Sequence, residues 1–127
     1  MLKIKTKIEK SKIHGVGLFA DQFIPEGTIT WEYTPNIDIS LSNKEIEAMD
    51  QLNKEYVLYY AYLDKKRKKF ILCSDSQRFI NHTEKSKKEN VLSTPDRDTA
   101  ARDINRGEEL LCDYNKFDDG YFKRMGI

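Results

Sequence analysis

Three short stretches of this chain hold residues whose types and spacing suit chemistry. The first is Gly15-Val16-Gly17, directly after His14. Glycines two apart in a turn let a backbone approach a ligand closely, and they serve equally where a turn needs positive φ or tight packing. The second is Arg78-Phe79-Ile80-Asn81-His82-Thr83. Its polar pair behind two apolar residues, in a stretch with no helical period, wants specific hydrogen-bond partners, which a ligand or the protein's own core can supply. The third is Asp113-Tyr114, closing the run Leu110-Leu111-Cys112. On its own it reads as an ordinary polar-aromatic strand end. Cys73, Cys112, His14 and His82 are the chain's only cysteines and histidines. They lie far apart without paired spacing, so neither a zinc site nor a disulfide framework is signalled, and no metal is expected.

The elements that must position these stretches read as mainly β. Leu2, Ile4 and Ile8 share one parity, which predicts an opening strand over 2–8 with one face buried. His14 to Gly17 interrupts it as a turn before the apolar run Leu18-Phe19-Ala20. Pro25-Glu26-Gly27 marks a second turn, and Ile29, Trp31 and Tyr33 alternate through a third strand that Pro35-Asn36 ends. Ser42 with Glu45 three residues on is a capping box, opening a short helix through Ile46 and Met49. Tyr56 to Leu63 is aromatic and aliphatic enough for a strand, and with Phe70-Ile71-Leu72 it predicts a hairpin whose tip is the basic run Lys65 to Lys69. Such a run reads as a solvated loop, as does Lys85-Ser86-Lys87-Lys88. Asn105-Arg106-Gly107 turns the chain into the segment ending at Tyr114, beyond which Phe117, Tyr121 and Phe122 are candidates for a pocket wall. No repeat or low-complexity linker divides residues 1–127, so one domain is expected.

Composition narrows the partners. Charged residues make up 34% of the chain, but 22 Lys and Arg stand against 21 Asp and Glu, and a formal net charge of +1 provides no field for a polyanion. Nucleic acid is not an expected partner. Lysines break up the apolar positions of the first fifteen residues, unlike the core of a signal peptide, and no apolar run approaches the roughly 18 residues of a membrane helix. A cytoplasmic protein is expected.

The order and spacing of the motifs resemble the SET-domain protein-lysine methyltransferases along nearly the whole chain. Three blocks carry the likeness. They are Ser11 to Ala20 with Ile24-Pro25-Glu26-Gly27 and Glu32-Tyr33; Arg78 to Thr83 with Asn90; and Ala101-Arg102-Asp103-Ile104 followed by Gly107 to Tyr114. The resemblance implies a β-clip-like fold of several small sheets, one or two short helices, and a C-terminal pseudoknot threaded by the Asn81-His82 segment. It implies S-adenosylmethionine as methyl donor, contacted by His14, Gly15, Val16, Gly17, Arg78, Phe79, Asn81, His82 and Tyr114. Tyr114 is implied as the catalytic tyrosine, and Tyr33, Cys112, Phe117, Tyr121 and Phe122 as walls of a channel for the substrate lysine. Tyr59, Tyr60 and Tyr62 are further aromatics that sequence cannot separate from core packing. Thr83 stands where serine is common, and the cysteine-rich zinc segment of many nuclear members is lacking, which makes the chain similar to small bacterial or viral members. For a secreted or viral member the destination would be a host nucleus instead. Cys112, where many members carry Phe or Tyr, leaves the number of methyl groups added open. The expected partner is a lysine-containing protein or peptide, with a homodimer as one way to complete its groove. The alternative is a non-catalytic module of the same fold that binds a peptide.

Overall fold

A computed structural model describes residues 1–83, 88–118 and 120–124, with only the backbone described for Tyr121 and Phe122. In chain order the strands are β1 (Thr6–Lys10), β2 (Val16–Ala20), β3 (Ile29–Glu32), β4 (Ile39–Leu41), β5 (Tyr62–Asp64), β6 (Lys69–Leu72), β7 (Asn81–His82), β8 (Val91–Ser93), β9 (Arg97–Ala100) and β10 (Leu111–Cys112). Helices α1 (Asn43–Glu47) and α2 (Gln51–Tyr60) lie between β4 and β5, and α3 (Tyr121–Arg124) follows β10. The strands form four small sheets: β1-β2, β3-β9-β8, β4-β6-β5 and β10-β7. The fold is mainly β, as expected.

Each sheet is too small to bury a core by itself, so different elements pool their apolar residues, the first such cluster lying between the β1-β2 and β3-β9-β8 sheets. Leu18, Ala20, Ile24, Val91, Ile104 and Leu110 meet at its centre, each close to fully buried, and Tyr114 and Phe117 pack against them. A second cluster joins Ile46 of α1 and Val57 of α2 to Phe70 and Leu72 of β6, and a third holds Trp31, Tyr62, Ile71 and Cys73. Full burial of such aliphatic side chains stabilises a fold by about 1.5–3 kcal/mol apiece.

One pairing decides where the site forms. β7 and β10 are parallel, Leu111 opposite Asn81 and Cys112 opposite His82, across roughly thirty residues of chain. Thr83 N donates to Cys112 O (2.9 Å) and Asn90 N to Leu111 O (3.1 Å), so both ends of the 83–90 connection grip β10. Asn90, almost fully buried, adds two side-chain bonds of 2.8 Å, from its Nδ2 to Glu109 O and from Leu111 N to its Oδ1.

Two local expectations are corrected. Tyr56 to Tyr60 is helical, and only Tyr62–Asp64 is strand. Asp50 caps the helix by accepting from Asn53 N (2.9 Å), and the helix buries Val57 while leaving Tyr56 and Tyr59 outward. The cap and one apolar stripe outweigh the aromatic preference for strand, which is weak without a sheet neighbour. The opening strand runs over Thr6–Lys10 rather than 2–8, and Leu2 makes an isolated bridge to Trp31 while Leu2 and Ile4 pack on the core. The capping box forms as read, Ser42 accepting from Glu45 N (3.1 Å). The predicted basic hairpin tip joins β5 to β6, and Arg67 within it is anchored by the buried carboxylate of Asp64 and by Asp96 (2.7 Å). The run Lys85 to Lys87 lies outside the described residues.

Candidate active site

A cavity of about 400 Å³ opens between the β1-β2 turn, α2, the 76–82 segment and the residues after β10. Small-molecule sites span about 300–1,000 Å³. At one end lies the glycine turn. Ser11 organises it: its hydroxyl accepts from Ile13 N (2.9 Å) and His14 N (3.2 Å) and donates to the Glu109 carboxylate (2.8 Å). Gly15 sits at φ +49°, a conformation glycine adopts without penalty. Gly17 is needed for a different reason: a Cβ there would lie 2.3 Å from Glu109 Oε2 and 3.1 Å from Asn81 Nδ2.

Asn81 ties this turn to the middle of the chain. Its Nδ2 donates toward His14 O (3.0 Å), Val16 O (3.1 Å) and Glu109 Oε2 (3.0 Å). His14 shares a hydrogen bond of 2.8 Å with the Tyr59 hydroxyl, joining the turn to α2. Arg78 Nε donates to Cys73 O (2.9 Å) and its Nη1 to the Tyr56 hydroxyl (2.8 Å).

The opposite end is aromatic. Tyr114 N donates to His82 Nδ1 (3.0 Å), which assigns the proton of a neutral His82 to Nε2. The Tyr114 hydroxyl donates to Ile80 O, fixing the phenol against the 3₁₀ turn Ser76–Phe79 and β7. Phe117 packs edge-on to Tyr114 (centroids 5.8 Å apart) and to Tyr62 (5.3 Å), and Tyr62 edge-on to Trp31 (6.3 Å). Tyr62 donates to Pro95 O (2.8 Å), and burial pushes its phenol far above the ordinary tyrosine range. Burial likewise pushes the thiols of Cys73 and Cys112 up, so both stay protonated and inert. Asp98 is buried on the same wall, accepting from Gln77 Nε2 (2.6 Å). Burial pushes its carboxyl up to about 7, with the Ser93 and Gln77 side chains pulling the other way.

Of the residues singled out in the sequence, His14, Gly15, Val16, Arg78, Phe79, Asn81, His82, Tyr114 and Phe117 line this cavity, and Gly17 borders it behind Asn81. Tyr33 and Cys112 do not line it. Tyr33, just past β3, packs against the Trp31 cluster with Arg67 over its ring at 4.1 Å, and Cys112 is buried in the core. The side chains of Tyr121 and Phe122 lie outside the described residues. Tyr59, Tyr60 and Tyr62 all reach the cavity, a point the sequence left open. Trp31, Cys73, Gln77 and Asp98 were not singled out. The one available signal was Asp98, a carboxylate on the same strand parity as Ala100 and therefore pointing inward.

The model of the SET domain matches residues 15–115, from the glycine turn to the residue after Tyr114. This chain belongs to the SET-domain family. Among SET-domain relatives, the "Histone-lysine N-methyltransferase trr" of Drosophila melanogaster is 34% identical over 117 residues, covering 87% of this chain and 5% of the relative. The chain therefore spans about a twentieth of that relative's length. Among solved structures, apo Chaetomium thermophilum Polycomb Repressive Complex 2 with substitutions in Ezh2 superposes with a TM-score of 0.71 at 24% identity, covering 96% of this chain and 16% of that one. The same complex in an autoinhibited conformation bound to S-adenosylmethionine gives 0.66 at 24% identity, covering 97% and 16%. These likenesses bear out the SET fold.

Proposed function

We propose that this chain is a protein-lysine N-methyltransferase that uses S-adenosylmethionine. The observation that carries the reading is that Gly15, Val16, Asn81 and His82 line one and the same cavity with Tyr114 and the aromatics packed around it. The residues present fit such a cofactor. Gly15 puts bare backbone on the cavity wall, and Gly17 keeps clear the space in which Asn81 and Glu109 lock the turn. S-adenosylmethionine would bring an electrophilic methyl group on a sulfonium. The chain's own residues then have to present a neutral amine in line with it, the reacting atoms about 3–3.5 Å apart.

A free lysine has a pKa near 10.4, about three units above neutrality, so its amine must lose a proton on entering the site. Walls made by Trp31, Tyr62, Phe117 and Tyr114 favour the neutral form by desolvation. The Tyr114 hydroxyl spends its proton on Ile80 O, so toward an amine N–H the phenol acts as an acceptor. That fits a role in aiming the nitrogen lone pair. His82 steadies the backbone from which Tyr114 projects, through the bond to Tyr114 N.

The test is transfer of labelled methyl from S-adenosylmethionine to proteins of a cell lysate by the chain and by Tyr114→Phe. Labelled lysine is expected from the native chain, with a loss of about 10²–10³ in the variant, the scale of removing one group that stabilises a transition state. Failure of the native chain to bind S-adenosylmethionine in calorimetry would overturn the reading.

A further inference from the structure

We propose that Asp98 closes the inner end of the cavity as the counter-ion for the substrate's target ammonium and takes its proton before methyl transfer. The proposal rests on the lysine-methyltransferase reading and adds to it the group that receives the ammonium. Asp98 sits mid-strand in β9, the centre of the β3-β9-β8 sheet, with Trp31 opposite on one side and Ser93 on the other. It is 3% exposed and lines the cavity. Its protein partners are neutral. Gln77 Nε2 donates to it at 2.6 Å, Ser93 lies beside it, and no Lys, Arg or His pairs with it among the described residues. A carboxylate buried on neutral donors alone is costly, and an aliphatic side chain there would fill the same layer without that cost. A cation arriving from outside would offset that cost whenever the group is ionised.

The surroundings select what that cation is. Trp31 of β3, Tyr62 of β5, Cys73 after β6, Gln77 of the 3₁₀ turn, Ser93 of β8 and Cys112 of β10 face Asp98, and none is charged near neutral pH. Aromatic faces around a single carboxylate attract an organic ammonium. The indole Nε1 of Trp31 is buried and has no hydrogen-bond partner among the described residues. The protein's own groups therefore leave this end of the cavity unsaturated, as a site completed by a polar ligand or water would be. Two residues beyond Cys112, the chain delivers Tyr114 to the same cavity.

The proton balance is simple. One N–H bond of the ammonium breaks and one O–H bond forms on Asp98, which neutralises both groups and leaves the nitrogen lone pair free to accept the methyl. Asp98 then returns its proton to water as the methylated ammonium departs. Burial, which already pushes the carboxyl up to about 7, brings it nearer to an amine in proton affinity.

Butylammonium chloride serves as the probe, with butanol as its neutral counterpart, their binding to the whole chain followed by NMR. In Asp98→Asn, which retains an acceptor for Gln77, butylammonium affinity should fall about tenfold or more, the scale of losing a hydrogen bond to a charged group, while butanol affinity stays the same. Equal butylammonium affinity in both proteins would overturn the proposal. Should the variant fail to fold, ¹³C-carboxyl NMR of the native chain decides. Saturating butylammonium should shift the titration midpoint of Asp98, and an unmoved midpoint would overturn the proposal. The probe needs no methyl donor, so the two readings fail separately. Asp98-dependent binding in a chain that transfers no methyl would sustain the subsite and sink the transferase, whereas methyl transfer with Asp98-independent binding would do the reverse.

Discussion

Gly17→Ala tests the central joint of the site, because the strand geometry at residue 17 suits any residue and only space forbids a side chain. The added Cβ would sit 2.3 Å from Glu109 Oε2 and 2.9 Å from its Cδ. The carboxylate would have to swing away, loosening its bonds with Ser11 Oγ (2.8 and 2.9 Å) and Asn81 Nδ2 (3.0 Å). Glu109 is half-buried, so solvent recovers part of that loss. Overpacking costs about 1–3 kcal/mol, and because the flexible Glu109 carboxylate can swing aside with its bonds loosened rather than lost, about 2–3 kcal/mol is expected in all. For a chain of 127 residues this lowers Tm by about 6–12 °C. Thermal melts followed by circular dichroism measure it. Glu109→Ala removes both the obstacle and the bonds, so the double variant should melt close to Glu109→Ala alone rather than at the sum of the two losses. A Gly17→Ala protein that melts with the native chain, or strict additivity in the double variant, would refute the reasoning.

Asn90→Ala deletes two 2.8 Å bonds to the 109–111 backbone, one buried and one part-buried, and should cost about 3 kcal/mol in a urea titration, with the site lost before the rest of the fold. Asp98 sets a pH dependence. Its folded carboxyl, raised to about 7, holds a proton that the unfolded chain releases near 3.9. From pH 4 to pH 7 the unfolded state therefore binds fewer protons, and stability falls with rising pH by about 1.4 kcal/mol per unit, toward about 4 kcal/mol. Urea titrations across that range should show the fall in the native chain and its absence in Asp98→Asn. Cys73 and Cys112, buried and with thiols pushed up, should react with a thiol reagent only as fast as the chain opens, both becoming immediately available in denaturant.

Much of the site was legible because it lies in contiguous motifs. Gly15-Val16-Gly17, Asn81-His82 and Tyr114 stand in an order and spacing that resemble one family, and all but Gly17 reach the same cavity wall. The helix from Gln51 to Tyr60 was not legible as such, since its tyrosines favour strands and the deciding interaction, Asp50 on Asn53 N, is one hydrogen bond. Tyr33 illustrates a different limit. The strand expected to include it ends at Glu32, and the ring's surroundings depend on Arg67, which the β5-β6 hairpin brings over it. Asp98 was not singled out, because its parity with Ala100 points it inward only once β9 is known to be the middle strand of three. Long-range pairing decides such matters, and local pattern does not report it.

The parallel pairing of Leu111–Cys112 with Asn81–His82 also governs when the site can exist. Its cradle is specified by residues 11–17, its middle by 78–82 and its tyrosine by 114, so the cavity is built from contacts spanning most of the chain. Proteins dominated by such distant contacts close their loops late and fold slowly, in about milliseconds to seconds. During synthesis the first hundred residues can hold the β1-β2 hairpin and the α1-α2 region, but not a cavity, because Glu109 and Tyr114 are still to come. A chain stopped short of residue 114 should therefore carry none of the activity proposed for it.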